Sequence, residues 1–168
     1  YDLFGFDWAF NYLEEHVTEL LPYLQEGLPL YCKAVLWFKE KNYRESLSIF
    51  VSLPNYSSDL YFLVKPYMLM CYYEMDDPDA SDFLLNTIKK TFKNHPNLSF
   101  RLKDDLKHFI KLYSQLIKLR EQYNVQKATQ LKDAVLQPEM PLFAKQWLYH
   151  KITEMEMSKQ NKQKFAKW

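Results

Sequence analysis

Apolar residues recur at helical spacing along most of the chain, and no segment alternates with the two-residue period of a β-strand. The clearest stretch covers residues 30–50 and reads LYCKAVLWFKEKNYRESLSIF. Its first apolar stripe runs through Phe38, a polar elbow follows at residues 39–42, and a second stripe begins at Tyr43. This pattern predicts two helices joined by a tight turn.

The same spacing, combined with the start and stop signals between stripes, predicts about eight helices. Gly27 is expected to stop the first helix and Pro29 to open the second. Pro66 lies inside the fourth stripe, where it predicts a kink or a late helix start. The expected N-caps are Asp7, Asn42, Asp77, Ser99 and Asn124. The predicted helices cover residues 7–25, 29–41, 43–53, 59–75, 78–94, 99–122, 125–136 and 140–157.

Glycine is almost absent from the sequence, since Gly5 and Gly27 are the only two. Folds built on hairpins or phosphate-binding loops need glycine where φ is positive, so the composition favours an all-α chain. With 48% apolar residues, the chain can bury the core of one compact domain. We therefore predict a single helical domain over residues 1–157. A basic polar tail, residues 158–168, either continues the last helix or depends on a partner. Because the chain opens on Tyr1, we expect it to be a fragment of a longer protein.

Small and bulky residues are arranged in the first hairpin so that two helices can approach closely. Ala34 and Ser46 are small where the helix axes would cross, while Trp37 and Phe50 would fill the gaps beside them. A similar arrangement follows about 35 residues downstream, which indicates an internal repeat. The residues of the second copy that match Trp37, Phe38, Lys41–Asn42 and Ser46 are Tyr72, Tyr73, Asp76–Asp77 and Ser81.

The sequence alone does not decide how the second and third copies align with the first. Shifting the second copy by one residue places Ala80 at the small position instead of Ser81. A third copy, made of the sixth and seventh predicted helices, has Ala128 at that position, but its first helix is longer than those of the other copies.

The pattern resembles the tetratricopeptide repeat family over residues 29–96, and more loosely over residues 99–155. The resemblance implies antiparallel helical hairpins stacked as a short right-handed α-solenoid of about eight helices. The chain is also similar to the C-terminal helical part of large, mostly uncharacterised repeat proteins of Bacteroidota. The YFLVKPY and YYE residues within 61–74 and the WL-x-x-K residues 147–151 carry that second resemblance, which implies a fold and no activity.

Residues with catalytic chemistry are scattered, and we expect no enzyme, cofactor or metal. Asp104 and Asp105 precede His108 at helical spacing, which is compatible with half a metal site but more typical of a surface ion pair. Two isolated glycines exclude a phosphate loop or nucleotide fingerprint. Cys32 and Cys71 lack zinc-ligand spacing, and we expect two reduced thiols of a cytoplasmic protein. A disulfide between them would require their two helices to pack side by side. No apolar run has the length of a membrane span.

Recognition of a protein or peptide has the better physical basis. In repeats of this family the first helix of each pair lines a concave surface, so the resemblance implies a binding face there. Rings with a polar tip beside an ammonium group suit a peptide with acidic side chains, although the same aromatic residues could instead be core. The residues expected on the face are Tyr31, Val35, Phe38, Lys39, Lys65 and Tyr73.

Charge is distributed unevenly, although the net charge is only +1. Residues 1–30 hold six acidic residues and no Lys or Arg, whereas residues 158–168 hold four lysines and no acid. This polarity indicates either ends that stack on oppositely charged neighbours, such as other domains of the parent chain, or simply solvated faces. A basic stretch provides an alternative function, a nucleic-acid-associated regulatory domain. Its residues are Lys89, Lys90, Lys93, Arg101, Lys103, Lys107 and Lys111.

Overall fold

The computed structural model describes residues 5–53, 58–94, 100–138 and 142–165, and these ranges contain helices but no β-strand. The all-α prediction is therefore confirmed. The helices are α1 (Gly5–Glu15), α2 (Gly27–Lys39), α3 (Tyr43–Ser52), α4 (Ser58–Glu74), α5 (Pro78–Asn94), α6 (Phe100–Glu121), α7 (Val125–Val135) and α8 (Leu142–Phe165). Two single turns of 3₁₀-helix, Val17–Glu19 and Pro22–Leu24, lie between α1 and α2.

The first helix is shorter than predicted, since α1 ends at Glu15. Further along, Pro22 has no N–H to donate and its ring would clash with a preceding helical turn, and it holds Leu21 in extended geometry at φ −57° and ψ 139°. The chain around Pro22 is therefore not part of α1, and Leu21 is 57% exposed. Gly27 begins α2, so the prediction that it stops a helix is wrong. Asp7 lies inside the first turn of α1 and is not its N-cap.

Helix α4 runs without interruption from Ser58 through Pro66 to Glu74, so the late start that we considered for this helix is wrong. Pro66 removes one backbone donor, but it lies in a stretch where Val64 and residues 66–71 are buried. Tertiary packing of that stretch stabilises the helix across the missing bond, since most helical stability in proteins comes from packing.

The packing divides the chain into two compact units, Tyr1–Leu98 and Ser99–Trp168, and each is described by itself. In the N-terminal unit successive helices α1 to α5 pack against one another, and α2 also contacts α4. In the C-terminal unit α6, α7 and α8 each contact the other two. The sequence had suggested a single domain over 1–157 with a tail after it. Helix α8 continues into that tail segment as far as Phe165.

Each unit has its own apolar core. Complete burial of a side chain such as Leu69 or Leu148 contributes roughly 1.5–3 kcal/mol relative to an exposed position. The N-terminal unit buries Ala34, Leu36, Phe50, Val64, Tyr67, Met68, Leu69, Met70, Cys71, Leu84, Leu85 and Ile88. The C-terminal unit buries Leu106, Phe109, Ile110, Leu112, Tyr113, Leu116, Leu119, Ala128, Leu131, Val135, Ala144, Leu148 and Ile152.

Candidate functional site

The turn between α2 and α3 is closed by two backbone hydrogen bonds around a left-handed residue. Lys41 has φ 61°, and its N–H donates to the Phe38 carbonyl at 3.0 Å. The Asn42 N–H donates to the Trp37 carbonyl at 3.0 Å, which completes a Schellman motif. Helix α3 then starts from Asn42, whose carbonyl accepts from the Ser46 N–H at 3.1 Å.

The turn between α4 and α5 repeats this geometry about 35 residues later. Asp76 has φ 57°, and its N–H donates to the Tyr73 carbonyl at 3.3 Å. The Asp77 N–H donates to the Tyr72 carbonyl at 3.0 Å, and the Asp77 carbonyl accepts from the Ser81 N–H at 3.2 Å. Each of these three backbone hydrogen bonds has its counterpart in the first elbow. The two elbows therefore share one backbone hydrogen-bond pattern.

The structure also decides the register of the second copy. Ser81 is 2% exposed, like Ser46 at 0%, whereas Ala80 is only half-buried. The frame with Ser81 at the small position is therefore the right one, and the shifted frame with Ala80 is wrong. Ser46 and Ser81 are the two buried polar side chains of the described residues.

The first small position joins three helices through a buried polar chain. The Ser46 hydroxyl on α3 donates to the Ala34 carbonyl on α2 at 2.8 Å. The Cys71 thiol on α4 lies 3.6 Å from that hydroxyl and donates to it. Burial raises the pKa of Cys71 to about 12, so this thiol stays protonated at neutral pH and is a poor nucleophile.

Beside this chain five rings form what we term the aromatic cluster: Tyr31, Phe38, Tyr43, Phe50 and Tyr67. Tyr67, only 7% exposed, is its centre. The Tyr67 ring centroid lies 5.4 Å from Phe38, 5.4 Å from Phe50 and 6.1 Å from Tyr31. Phe38 also meets Tyr43 edge-on at 5.4 Å. Such pairs add about 0.5–1.5 kcal/mol beyond the area they bury, so the cluster fixes α2, α3 and α4 together.

Burial shifts the pKa values of the ionisable groups around the aromatic cluster in the direction that favours their neutral forms. Burial raises the pKa of Tyr31 to about 12, and burial raises the pKa of Tyr67 further still. The two hydroxyls hydrogen-bond to each other. Burial also raises the pKa of the Cys32 thiol and lowers the pKa of the Lys65 ammonium.

The residues predicted for the binding face separate into two groups. Tyr31 and Phe38 are half-buried members of the aromatic cluster, so much of each ring packs against neighbouring helices. The Lys65 ammonium is half-buried and lies 3.6 Å from the Met68 sulfur.

The other three residues are not members of the aromatic cluster. Lys39 is exposed at the end of α2, while Val35 and Tyr73 are half-buried. Tyr73 occupies in the second elbow the place that Phe38 occupies in the first, because both carbonyls accept from the left-handed residue. Tyr67, the centre of the aromatic cluster, was not among the residues expected on the face. Its contact with Phe38, on a helix far away in sequence, left no local signal.

The basic residues of the alternative hypothesis are distributed over both units. Lys89 and Lys90 are exposed on α5, and Lys107 and Lys111 are exposed on α6. Asp104 takes part in a surface ion pair with Lys107 at 3.6 Å, whereas the sequence had suggested His108 as its partner. The side chains of Lys93, Arg101 and Lys103 lie outside the described residues, as does the predicted N-cap Ser99.

The C-terminal unit has a groove of about 510 Å³ between α6 and α7. Leu119, Leu131 and Ala134 provide its apolar part. Its polar lining residues are Gln115, Lys118, Glu121, Gln122, Lys127 and Gln130. Within the described ranges no three His, Cys, Asp or Glu side chains are grouped so that they could hold a metal ion. In the same ranges no helix combines the length and apolarity needed to cross a bilayer.

Comparison with family models, curated proteins and solved structures found no match to this chain. Residue chemistry and geometry are therefore the basis for the function proposed below, and the resemblance to tetratricopeptide repeats stays a prediction.

Proposed function

We propose that this chain is a non-enzymatic, tetratricopeptide-like interaction module that binds a peptide or partner domain through the first helices of its hairpins. The observation that carries the proposal is the repeated elbow, in which α2–α3 and α4–α5 share one hydrogen-bond pattern. Repeated helix pairs bury their cores between neighbours and leave equivalent side chains in rows, which is how such proteins build extended binding surfaces.

Equivalent positions provide the contacts of the proposed face. Phe38 and Tyr73 stand at the same place in the two elbows and are both half-buried, so a ligand that crosses both hairpins meets a ring at each. The aromatic cluster holds Phe38 and Tyr31 in place before any ligand arrives. Side chains that are already ordered lose little conformational entropy on binding.

The charge near this face favours an acidic ligand. Lys39 is exposed at the end of α2, and Lys65 lies half-buried on α4. An acidic peptide that carries apolar side chains would combine ion pairs at these ammonium groups with contacts to the partly exposed rings. The proposed ligand is therefore a peptide segment with both acidic and apolar residues.

The test is selection from a displayed random-peptide library, followed by titration of a selected peptide. Lys39→Glu and Tyr73→Ala should each weaken binding by about tenfold, equivalent to roughly 1.4 kcal/mol. Arg44→Glu is the matched control, because Arg44 is exposed on α3 and this substitution changes the charge by the same amount as Lys39→Glu. The affinity of the Arg44→Glu variant for the selected peptide should stay within about twofold of that of the parent chain, the difference reflecting long-range electrostatics. Equal weakening by Arg44→Glu, or none by the two face variants, would contradict the proposed face.

The alternative function, a nucleic-acid-associated regulatory domain, depends on the exposed lysines of α5 and α6. Its test is binding of a random-sequence DNA or RNA duplex at several salt concentrations. Affinity that falls steeply with salt and is reduced by Lys89→Glu/Lys90→Glu would support it, since phosphate contacts release counterions. A flat and weak response would leave peptide binding as the better proposal.

A further inference from the structure

The groove between α6 and α7 combines a closed apolar floor with an exposed polar rim. Leu119 and Leu131 on its floor are each 3% exposed, so they belong to the core of the C-terminal unit. Ala134, half-buried on α7, contributes only a methyl group. The open volume of about 510 Å³ lies within the range of protein sites that bind small ligands, about 300–1,000 Å³.

The lining residues follow helical spacing on both sides of the groove. Steps of three and four residues connect positions 115, 118, 119 and 122 of α6, and likewise positions 127, 130, 131 and 134 of α7. Each row advances from its first to its last position by about 10 Å along the helix axis. An extended peptide advances about 3.3 Å per residue, so the groove has the length of about three peptide residues.

Three carboxamides stand on the rim, and each can both donate and accept hydrogen bonds. They belong to Gln115 and Gln122 on α6 and to Gln130 on α7, and all three residues are exposed. A carboxamide carries N–H donors and a carbonyl acceptor, which complement the C=O and N–H groups of a peptide backbone. The rim and the floor together therefore suit a peptide segment with an apolar side chain.

The charge of the groove favours acidic groups on that segment. Lys118 on α6 and Lys127 on α7 place one ammonium group on each side, and Glu121 is the acidic lining residue. Within the part of the chain that the structure describes, no carboxylate pairs with Lys118 or Lys127, whereas Lys132 pairs with Glu156. A carboxylate of a ligand can therefore pair with either ammonium group without breaking an ion pair of the chain.

Lys127 also occupies an electrostatically unfavourable position. It lies in the first turn of α7, where the helix dipole is positive, and that turn holds no acidic residue. The position of Lys127 therefore reduces the stability of the free chain. An anion bound in the groove would be attracted both by the ammonium group and by the dipole, and it would offset their mutual repulsion.

We propose that the groove between α6 and α7 binds an extended peptide segment of about three residues, in which carboxylate side chains flank an apolar one. Lys118 and Lys127 pair with the carboxylates, and the carboxamides of the rim bond to the peptide backbone. The apolar side chain of the peptide rests on the floor. This site lies within the C-terminal unit and does not depend on the face proposed for the N-terminal unit.

The experiment is a heteronuclear NMR titration of the chain Tyr1–Trp168 with the peptide acetyl-Asp-Leu-Glu-amide. Saturable shift changes should be confined to amides of the segment 115–134 and its contacts. The neutral peptide acetyl-Asn-Leu-Gln-amide should bind about tenfold more weakly, and Lys118→Gln and Lys127→Gln should each weaken binding of the acidic peptide by about fivefold. Glu121→Gln should strengthen it by about twofold, because it removes a like charge.

Stability separates a binding role of Lys127 from a structural one. Lys127→Gln should raise the melting temperature of the free chain by about 1–3 °C, because it removes a cation from the positive end of α7. Lys118 lies in the last turn of α6, where a cation is favourable, so Lys118→Gln should not raise the melting temperature. Lys127→Gln is thus expected to stabilise the chain while it weakens binding.

Matched controls test whether the groove itself is the site. Lys111→Gln removes an exposed charge from α6 outside the groove and should change the affinity by less than about twofold. Ala134→Phe should block binding by filling the groove, with helical circular dichroism unchanged. Lys39→Glu, a variant of the N-terminal face, should leave this binding unchanged, so the two sites can fail separately.

Four outcomes would overturn the proposal. The first is the absence of saturable shifts in the segment 115–134. The second is equal binding of the neutral and acidic peptides, and the third is unchanged affinity in the Lys118→Gln and Lys127→Gln variants. The fourth is binding of succinate as tight as that of the acidic peptide, which would indicate a site for simple anions and not for a peptide.

Discussion

The two elbows of the N-terminal unit and the elbow between α6 and α7 each connect two consecutive helices, but they use different turns. In the first two, the left-handed residues Lys41 and Asp76 close a Schellman motif. In the third, Asn124 is extended, with φ −141° and ψ 127°, and its side chain accepts from the Lys127 N–H at 3.0 Å.

All three elbows nevertheless place a small residue at the same distance from the turn. Ser46, Ser81 and Ala128 each donate their N–H to the carbonyl of the residue four positions earlier, where the helix starts. All three are at most 2% exposed. The three helix pairs therefore have in common the small buried residue that permits close approach of the helices. The hydrogen bonding of the turn itself differs from one pair to another.

The largest effect is expected from enlarging that small residue. Ser46→Leu and Ala128→Leu should each reduce the free energy of unfolding by about 3 kcal/mol, because extra methylenes in a packed site force shifts of neighbouring groups. Urea denaturation followed by circular dichroism measures this. Ser48→Leu and Thr129→Leu, at exposed positions of the same helices, are the controls and should change stability by less than about 0.5 kcal/mol. A tolerated Ala128→Leu would mean that close approach matters only in the first elbow.

Alkaline pH should weaken the N-terminal unit through its buried hydroxyls. Tyr31 has its pKa raised to about 12 by burial, and burial raises the pKa of Tyr67 as well. A group whose pKa is higher in the folded state contributes its full stability below the unfolded value, near pH 10, and loses it as the pH rises towards the folded value. Stability should therefore fall by up to about 1.4 kcal/mol per pH unit for each tyrosine above pH 10.

The measurement is the urea midpoint of α2–α4, followed by hydrogen exchange or tryptophan fluorescence, from pH 8 to pH 11. Tyr31→Phe and Tyr67→Phe should flatten the alkaline slope. Burial lowers the pKa of Lys65, so this group makes the folded state more stable as the pH rises. The slope of stability against pH is therefore compared between each variant and the parent. Tyr149→Phe, at a 41% exposed position of α8, is the control. A slope that the first two variants leave unchanged would contradict the role assigned to these hydroxyls.

Removal of the side chains at the helix N-caps should have a smaller effect on stability, and the effect should differ between the three elbows. The Asp77 carboxylate accepts from the Ala80 N–H at 3.0 Å, and Asn124 caps α7 in the same way. Asn42 occupies the corresponding position before α3 but its side chain makes no capping bond. Asp77→Ala and Asn124→Ala should each cost about 1 kcal/mol, whereas Asn42→Ala should cost much less. Thermal unfolding of the three variants would show the ranking, and an equal cost at all three would contradict it.

The sequence predicted the parts of this structure that depend on local spacing. Helix type, the elbow at residues 39–42 and the match of Ser81 to Ser46 follow from periodicity and from small residues at fixed intervals. The early end of α1 was missed, because helical spacing alone predicted a helix to residue 25 although Pro22 restricts Leu21 to extended geometry. Asn42 was expected to cap α3, but the sequence does not show whether a side chain turns towards the backbone N–H groups.

The candidate site was less predictable, for a physical reason. Tyr31 and Phe38 were expected on a binding face, yet Tyr67 from α4 packs against both rings. Contacts between helices depend on crossing angles and rotamers, neither of which periodicity specifies. The exposure of Lys39 was easier to anticipate, because a charged residue at a helix end normally faces water.

The smallest expected effect concerns the left-handed residues that distinguish the first two elbows. A side chain at positive φ brings Cβ close to the backbone, at a cost of about 1–2 kcal/mol, and glycine avoids that cost while losing more entropy on folding. Lys41→Gly and Asp76→Gly should therefore stabilise the chain by about 0.5–1 kcal/mol, as a rise in the urea midpoint.

The matched substitution in the third elbow is Tyr123→Gly, at the position just before Asn124. The described residues with positive φ, apart from Gly5, are Lys41 and Asp76, so Tyr123 has no such strain to relieve. Glycine there adds only unfolded-state entropy and removes a half-buried ring, and it should therefore destabilise the chain. If glycine stabilises the chain at Lys41 and Asp76 but destabilises it at Tyr123, the two kinds of elbow differ in backbone strain as well as in hydrogen bonding. A stabilising Tyr123→Gly would show that the third elbow approaches the geometry of the first two in solution.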